Sequence, residues 1–550
     1  MAETPRDNEE ANTTTSIGKI ENFVSKHFVR LLVWLAVSGG ALAIFGPWLL
    51  YAAGLTGETD ANLRLHILYV TGGTIAVLGL VETHRKNTTD RIKAEADIQN
   101  YQASQNYQSK TLENQTRQFT ENIAKEREKI EADKVKNEQD HIRQVHAERR
   151  SRYTTAIEQL SNDKASIRLG GIYSLVGLAD EWLADEIAIP NIEERRKEGQ
   201  VIINNLCAYI RSPFLLAERA EQLDEDYTKD PQIDFDGDKE KFGADKRSFA
   251  QEKAALEEER QIRQSIIKEM REHLHNYEEL APWSYFDYDF SNAHFFYFTD
   301  FTRSRFDGSL NFTGATFTQN TDFFGAKFTG YANFSKAKFT QNTDFSGAEF
   351  TEADFSGAEF TRPADFSGAK FTRPADFSGT KFTKANFSKA NFSKANFSKA
   401  NFSEVSFFRA EFTKASFSWV KFTGYANLSG AKFTQSADFY EAKFTGYADF
   451  SGAKFPEASF FRAKFTRPAD FSGAEFTGIT IFSEATFRSK PIFTLGNKAR
   501  FSHKAKPEDY KFEVSHNSPY KIETEEQEHN GVKFIIPKGT ELFDPDDPSS

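Results

Sequence analysis

KANFSKANFSKANFSKANFS, residues 384–403, is a five-residue unit written four times in succession. Outward from it, between Phe290 and Phe493, a phenylalanine returns every five or six residues, with Leu428 standing in at one centre. Around the centres a small residue stands two before (Ala385, Ala390, Ala395, Ala458), Asn, Asp, Lys or Glu one before, and Ser or Thr one after. Self-similarity at a fixed short period is the mark of a solenoid, in which each repeat buries its apolar face only against its neighbours. In extended chain alternate residues face opposite ways, so Ala385 and Phe387 turn inward while Asn386, Ser388 and Lys389 turn outward. Five residues then make one face and one corner.

The centres number thirty-nine, and of the 38 steps between them every six-residue step falls at an even-numbered place. Scattered insertions would not keep that parity. The extra residues therefore collect on opposite sides of the coil, in columns that include Tyr331, Pro363, Pro374, Tyr425 and Tyr447. Proline suits such a corner, where its fixed backbone angle and missing N–H cost nothing. The parity implies an even number of faces per coil and leaves two and four both open.

This grammar resembles the pentapeptide-repeat family and does so over about two hundred residues. The resemblance implies a right-handed quadrilateral β-helix with four faces per coil. Many members carry Leu at the centre, so Phe implies a fatter core on the same fold. At four centres per coil there are about ten coils, and at ~4.8 Å per strand the rod is roughly 47 Å long. Phe334, Phe345, Phe355, Phe366, Phe377, Phe387, Phe392, Phe397, Phe402, Phe412, Phe450 and Phe471 form the structural core ladder, each buried ring contributing ~1.5–3 kcal/mol against chain entropy. The inward Ala beside each Phe argues for burial rather than for an exposed platform that stacks nucleic-acid bases.

The chain has 550 residues, a formal charge of −11 and one cysteine, Cys207, which excludes an internal disulfide framework and points to a reducing compartment. Residues 1–27 read as a disordered cytoplasmic N-terminus and 28–84 as two transmembrane helices. Residues 31–57 are 27 residues without a charge, more than the ~20 a bilayer needs and too long for a signal-peptide core. A second, shorter uncharged run, 65–81, contains His66. Lys19, Lys26 and Arg30 precede the first run and Arg85, Lys86, Arg91 and Lys93 follow the second, whereas the loop carries Glu58, Asp60 and Arg64. The positive-inside rule then makes this a multi-pass plasma-membrane protein with both termini cytoplasmic. Small residues at Ala36 with Gly40 and Gly72 with Ala76 offer close helix packing.

Residues 85–152 read as a helical tether or partial coiled coil. Leu112 with Phe119, Ile123 with Ile130 and Val135 with Ile142 are heptad fragments, and this is the segment through which copies would form a homo-oligomer. Residues 153–216 resemble the small helical module that precedes the rod in many membrane-anchored bacterial pentapeptide-repeat proteins. Ser161, Asn162 and Asp163 signal its helix start, Gly170 and Gly171 suit close packing, Arg168 reads as a surface or end-capping residue, and Cys207 as packing. Residues 217–284 read as an acidic linker and capping helix. DFDGD at 234–238 has its glycine too early for a calcium loop. Ile262, Ile266, Met270, Leu274 and Tyr277 line one side of a helix that would cover the first coil, whose open strand edge needs hiding. Residues 285–493 are the β-helix and 494–550 a C-terminal cap or tail, without the dimerising helices that end some family members.

No phosphate-binding loop, serine elbow or metal-ligand spacing occurs, so no catalytic residue, cofactor or metal is assigned and the chain reads as a non-enzyme. His273 and His275 fall on different sides of a helix. Asp354, Asp365 and Asp376 occupy the repeat's outward position and belong to the fold rather than to acid–base chemistry. Some family members imitate duplex DNA and occupy the DNA site of gyrase, which demands a strongly negative rod. Between Phe312 and Phe493 there are instead 22 Lys plus Arg against 17 Asp plus Glu. Binding of nucleic acid or anionic lipid by this mildly basic rod is a further alternative, but Lys384, Lys389, Lys394 and Lys399 ring the rod rather than line one groove. The sequence points to a membrane-anchored scaffold that touches lipid through its two spans and presents the rod to an unknown protein partner.

Overall fold

The computed structural model describes residues 10–55, 105–275 and 281–547, with parts of the stretch 65–87. It divides into two compact units, Met1–Asn137 and Glu138–Ser550.

In the first unit α1 (Glu10–Ala52) is a 43-residue helix. Its helical start runs through residues expected to be irregular, because nothing before Pro47 breaks a helix propagating from the apolar span; residues 1–9 lie outside the described residues. Leu32–Ala52 is the one stretch among the described residues long and apolar enough to cross a membrane. The expected second span, 65–81, falls partly outside the described residues and gives no second candidate there. Its described part includes an apolar helix, α2 (Leu68–Val77); residues 65, 66, 79, 80, 83 and 87 are helical too, while residues 67, 78, 81 and 82 lie outside the described residues. Among the described residues a multi-pass topology, with both termini on one side, has one candidate crossing to rest on. Close approach also falls elsewhere than expected: a Cβ on Gly39 would lie 2.6 Å from Thr71 Cγ2, while Gly40 and Gly72 face open space.

α3 (Gln105–Leu160) is a 56-residue helix on which Phe119, Ile123, Ile130 and Val135 are exposed. The remainder of the expected tether, 88–104, lies outside the described residues. The helix continues past Arg152, since Ala156 and Leu160 are buried against α4 (Ala165–Ala184). A Cβ on Gly171 would meet the Ala156 carbonyl at 2.7 Å, whereas Gly170 faces open space, so one glycine of the pair serves the packing. α5 (Ile192–Arg211), the short α6 (Ala220–Asp224) and α7 (Lys239–Leu274) complete the module. DFDGD is used as a helix start: Asp238 accepts the N–H groups of Glu240 and Lys241 at α7.

α5 and α7 lie on the first coil. Gln200 makes two hydrogen bonds to the Asp287 backbone, Arg211 pairs with Asp289 at 2.8 Å, Arg271 pairs with Asp300, and Phe214 stacks on Phe296 at 5.6 Å. Ile262, Ile266, Met270 and Leu274 are buried, and one hydrophobic core runs from the module into the solenoid. Tyr277 lies outside the described residues.

The solenoid forms two 17-stranded sheets whose strands pair in parallel, coil on coil. Phe382 pairs with Phe402 and Phe392 with Phe412, so four centres make one coil and the choice between two and four faces is settled. Each ring stacks on the ring one coil later, as Phe355 on Phe377 at 4.9 Å and 1°, and meets the facing column edge-on, as Phe355 against Phe366 at 5.5 Å and 86°. Both geometries suit the quadrupole of an aromatic ring.

Two kinds of corner alternate. After Phe345 comes a turn closed by the Ala348 N–H to the Phe345 carbonyl at 3.1 Å, with Gly347 left-handed at φ +66. Residues two beyond every second centre from Phe290 to Phe482 share that conformation, among them Gly357, Lys389, Lys399 and Trp419. This turn admits no extra residue, so insertions are confined to the extended corners between, and the even-numbered six-residue steps follow. Because residues 387–406 make one such coil, their deletion rejoins Asn386 to Phe407 in register. The shortened chain is expected to remain folded, with a single-transition melting curve lowered by a few degrees; loss of that transition would contradict nearest-neighbour stacking.

At the far end the repeat grammar stops, yet the stack does not. Phe501 lies on Phe476 at 4.9 Å and Phe512 on Phe482 at 5.9 Å. The strand Glu541–Phe543 pairs with Arg500–Ser502, and a hairpin of Thr524–His529 with Val532–Pro537 buries Phe534 and Ile536.

Candidate interaction surface

The twelve ladder phenylalanines, from Phe334 to Phe471, are each at most 1 % exposed. With rings filling the interior, the chemistry the rod offers is that of its outer columns. At the turn-side centres the residue before Phe is most often Asp or Asn: Asp322, Asp344, Asp365 and Asn386 stand in register on one side, and Asn333, Asp354, Asp376 and Asn396 on the other. Asp354, Asp365 and Asp376 accept the N–H of Ser356, Ser367 and Ser378 at 2.7–2.8 Å. Their carboxylates are committed to closing turns. The carboxyl of Asp322 is raised, by burial above all and then by Asp344 and Asp300, against the Phe324 N–H that favours its charge. The first column passes through Asn386 and Ser406 and the second through Asn396 and Ser416, so neither is the continuous acidic line that imitation of duplex DNA requires.

At the other centres the outward residue is usually Lys or Glu, and neighbouring coils compensate. Glu349 lies 3.8 Å from Lys327 and 3.0 Å from Lys370, Glu359 pairs with Lys381 at 2.6 Å, and Glu411 with Lys432 at 3.2 Å. Lys370 above all holds the Glu349 carboxyl low. Such exposed pairs contribute ~0–1 kcal/mol each and chiefly keep the surface soluble.

The six-residue corners form two open troughs. One, of about 490 Å³, is lined by Asn320, Asn342, Pro363 and Lys384; the other, of about 550 Å³, by Tyr331, Glu352, Pro374 and Lys394. Lys384 and Lys394 thus stand in separate columns. Further along the first column Tyr425 stacks on Tyr447 at 5.9 Å, and their hydroxyls reach Asp449 and Asp470.

The titratable groups singled out by sequence have separate duties. Cys207 is buried, and burial pushes its thiol up to about 12. Arg168 donates to the carbonyls of Asn162 and Asp163 at 3.1 Å, closing the end of α3, and lies 3.6 Å from Glu259. His275 Nδ1 faces the Thr302 carbonyl. His273 Nε2 lies 3.0 Å from Asp180 Oδ2, and its ring stacks on Trp283, whose indole N–H donates to Asp180 Oδ1 at 2.8 Å. No group of three His, Cys, Asp or Glu poised for a metal occurs among the described residues. A buried pair that spacing did not reveal, Glu259 and Arg263, ties α7 to the end of α5. Its only sequence signal is a charge pair four apart, which most surface helices also carry.

Burial works against the imidazolium of His273, but hydrogen bonds to Asp180 and the Glu269 carbonyl outweigh it, and its pKa lies above the ordinary 6.5. A raised folded value means stability that is complete below 6.5 and lost as pH rises through the folded value. Thermal melting of the full chain is expected to show this decline, and His273→Gln is expected to flatten it; an unchanged slope would remove His273 from the account.

Residues 323–370 and 417–463 match a family model described as pentapeptide repeats (9 copies). Residues 374–407, 385–424 and 447–488 match a second, pentapeptide repeats (8 copies). No curated protein matches the chain.

Proposed function

The solenoid of this chain is a pentapeptide-repeat domain, and from that premise we propose that the protein is a membrane-anchored scaffold whose rod is a docking surface for a protein partner. The observation that carries the reading is a stack whose interior is filled by rings and many of whose polar groups are spent on turns and ion pairs. It leaves long flat faces and two open troughs as what a partner can touch. Repeat folds bind through such extended surfaces. Leu32–Ala52, with Trp34, Phe45 and Trp48 more than half exposed, is the segment that would hold the protein at a bilayer. Nothing among the described residues points to catalysis.

The test is cross-linked affinity capture from cells, comparing the full chain with one lacking residues 334–459. That deletion removes six coils and rejoins Asn333 to Phe460 in the same column, leaving both ends of the solenoid in place. Partners lost with the six coils support the docking reading; an unchanged set would overturn it. For the anchor, removing residues 32–52 is expected to move the chain from the membrane fraction to the soluble one.

A further inference from the structure

Around one corner of the rod three outward columns run side by side through consecutive coils. The first holds Ser418, Tyr440 and Phe461, the second Trp419, Glu441 and Arg462, and the third Lys421, Lys443 and Lys464. It is their combination that sets this corner apart from the other coils. In the first column other coils carry serine, as at Ser356, Ser378 and Ser398. Here Tyr440 lies 5.7 Å from the Trp419 ring and 6.0 Å from Phe461, and Trp419 is 45 % exposed. In the second column Trp419 takes a left-handed φ of +61, a place held by Gly357, Gly379 and Lys399 in earlier coils. A bulky residue is strained there, so the turn itself does not call for tryptophan. In the third column the alternation of Lys with Glu breaks down. Lys421 is paired in register with Lys443 and Lys443 with Lys464, and like charges directly opposite destabilise a sheet.

Strain, exposed aromatic area and uncompensated charge thus coincide on one ridge, and neither the strain nor the charge helps the solenoid fold. We propose that this ridge docks on an anionic lipid bilayer. Trp419, Tyr440 and Phe461 enter the headgroup layer, and Lys421, Lys443 and Lys464 meet lipid phosphates. Amphipathic rings beside basic side chains have the composition that seats protein at a bilayer surface. The shape agrees, since the left-handed turns at Trp419, Glu441 and Arg462 make a convex corner. A convex ridge meets a plane; a single strand of nucleic acid needs a groove and free ring faces, whereas Tyr440 and Phe461 are already stacked on each other. The proposal rests on the anchoring reading only in that the anchor keeps a bilayer at hand.

The experiment uses the full chain with vesicles of phosphatidylcholine alone or mixed with phosphatidylglycerol, both containing lipid brominated near the headgroup. Flotation with the neutral vesicles reads the anchor. The ridge is read separately, as the quenching that disappears in Trp419→Phe, because Trp34 and Trp48 contribute equally to both chains. Quenching of Trp419 is expected in the anionic vesicles, to be much weaker in the neutral ones, and to fall with salt. Lys421→Gln, Lys443→Gln and Lys464→Gln together are expected to weaken ridge binding on the order of a hundredfold. Lys443→Glu restores the alternation used elsewhere, so it is expected to raise the melting temperature while abolishing the quenching. Equal quenching in both lipids, or none, would overturn the proposal. So would binding of oligothymidylate that Lys443→Glu abolishes, which would assign the ridge to nucleic acid.

Discussion

Phe397→Asp is expected to destroy the cooperative melting transition of the solenoid and to expose it to protease, while Phe397→Leu leaves both nearly intact. Phe397 is fully buried, stacked on Phe377 at 4.9 Å and on Phe417 at 5.1 Å, and meets Phe387 and Phe407 edge-on. A carboxylate there has rings on every side and no cation or N–H to answer it. Leaving a charge unpaired in such a place costs more than ~4 kcal/mol even after its pKa rises, which is a large part of a domain's net stability. Leucine keeps the site apolar at a cost of roughly 1–2 kcal/mol, and the ladder already accepts it at the fully buried Leu428. Circular dichroism melting and limited proteolysis of the two variants check this. An Asp variant as protease-resistant as the parent would mean the ring is not core.

Arg263→Met is expected to lower stability by about 3–5 kcal/mol and to loosen the junction between the helical module and the first coil. The guanidinium is 1 % exposed and donates to Glu259 at 2.7 Å, to the Ile210 carbonyl at 2.7 Å and to the Ser212 carbonyl at 2.8 Å. It also lies over Phe296 of the first coil at 5.4 Å. Methionine fills much of the volume but leaves Glu259 with the more distant Arg168 at 3.6 Å and two carbonyls at the end of α5 without their donor. Arg263→Lys is expected to rescue little, because an ammonium cannot reach three acceptors in one plane. Hydrogen exchange would register the loss first in residues 205–212 and 256–270. Exchange unchanged there would show that α5 ends securely without Arg263.

The chain by itself determined the repeat, its inward Phe and Ala, its outward Asn and Ser, and the parity of its insertions. Those features are local and recur, so a single unit such as Ala385 to Lys389 carries the information for the whole rod. The reason for the parity was not local. It lies in the left-handed turns at Gly347 and its counterparts, which tolerate no extra residue, and in the register that sets Phe382 on Phe402 and makes the faces four. Only tertiary structure decided the rest. Phe501 and Phe512 continue the ladder at spacings that no period announces, because the chain between leaves the coil and returns. Arg263 and Glu259 matter through their burial against α5, and helical spacing alone reads them as a solvated pair. Gly39 rather than Gly40 meets Thr71, since one residue turns a helix by ~100° and a motif of small residues does not say which face is met. The ridge at Trp419 was hidden for the same reason as the four faces: Trp419, Tyr440 and Lys464 are neighbours only after the coils have stacked.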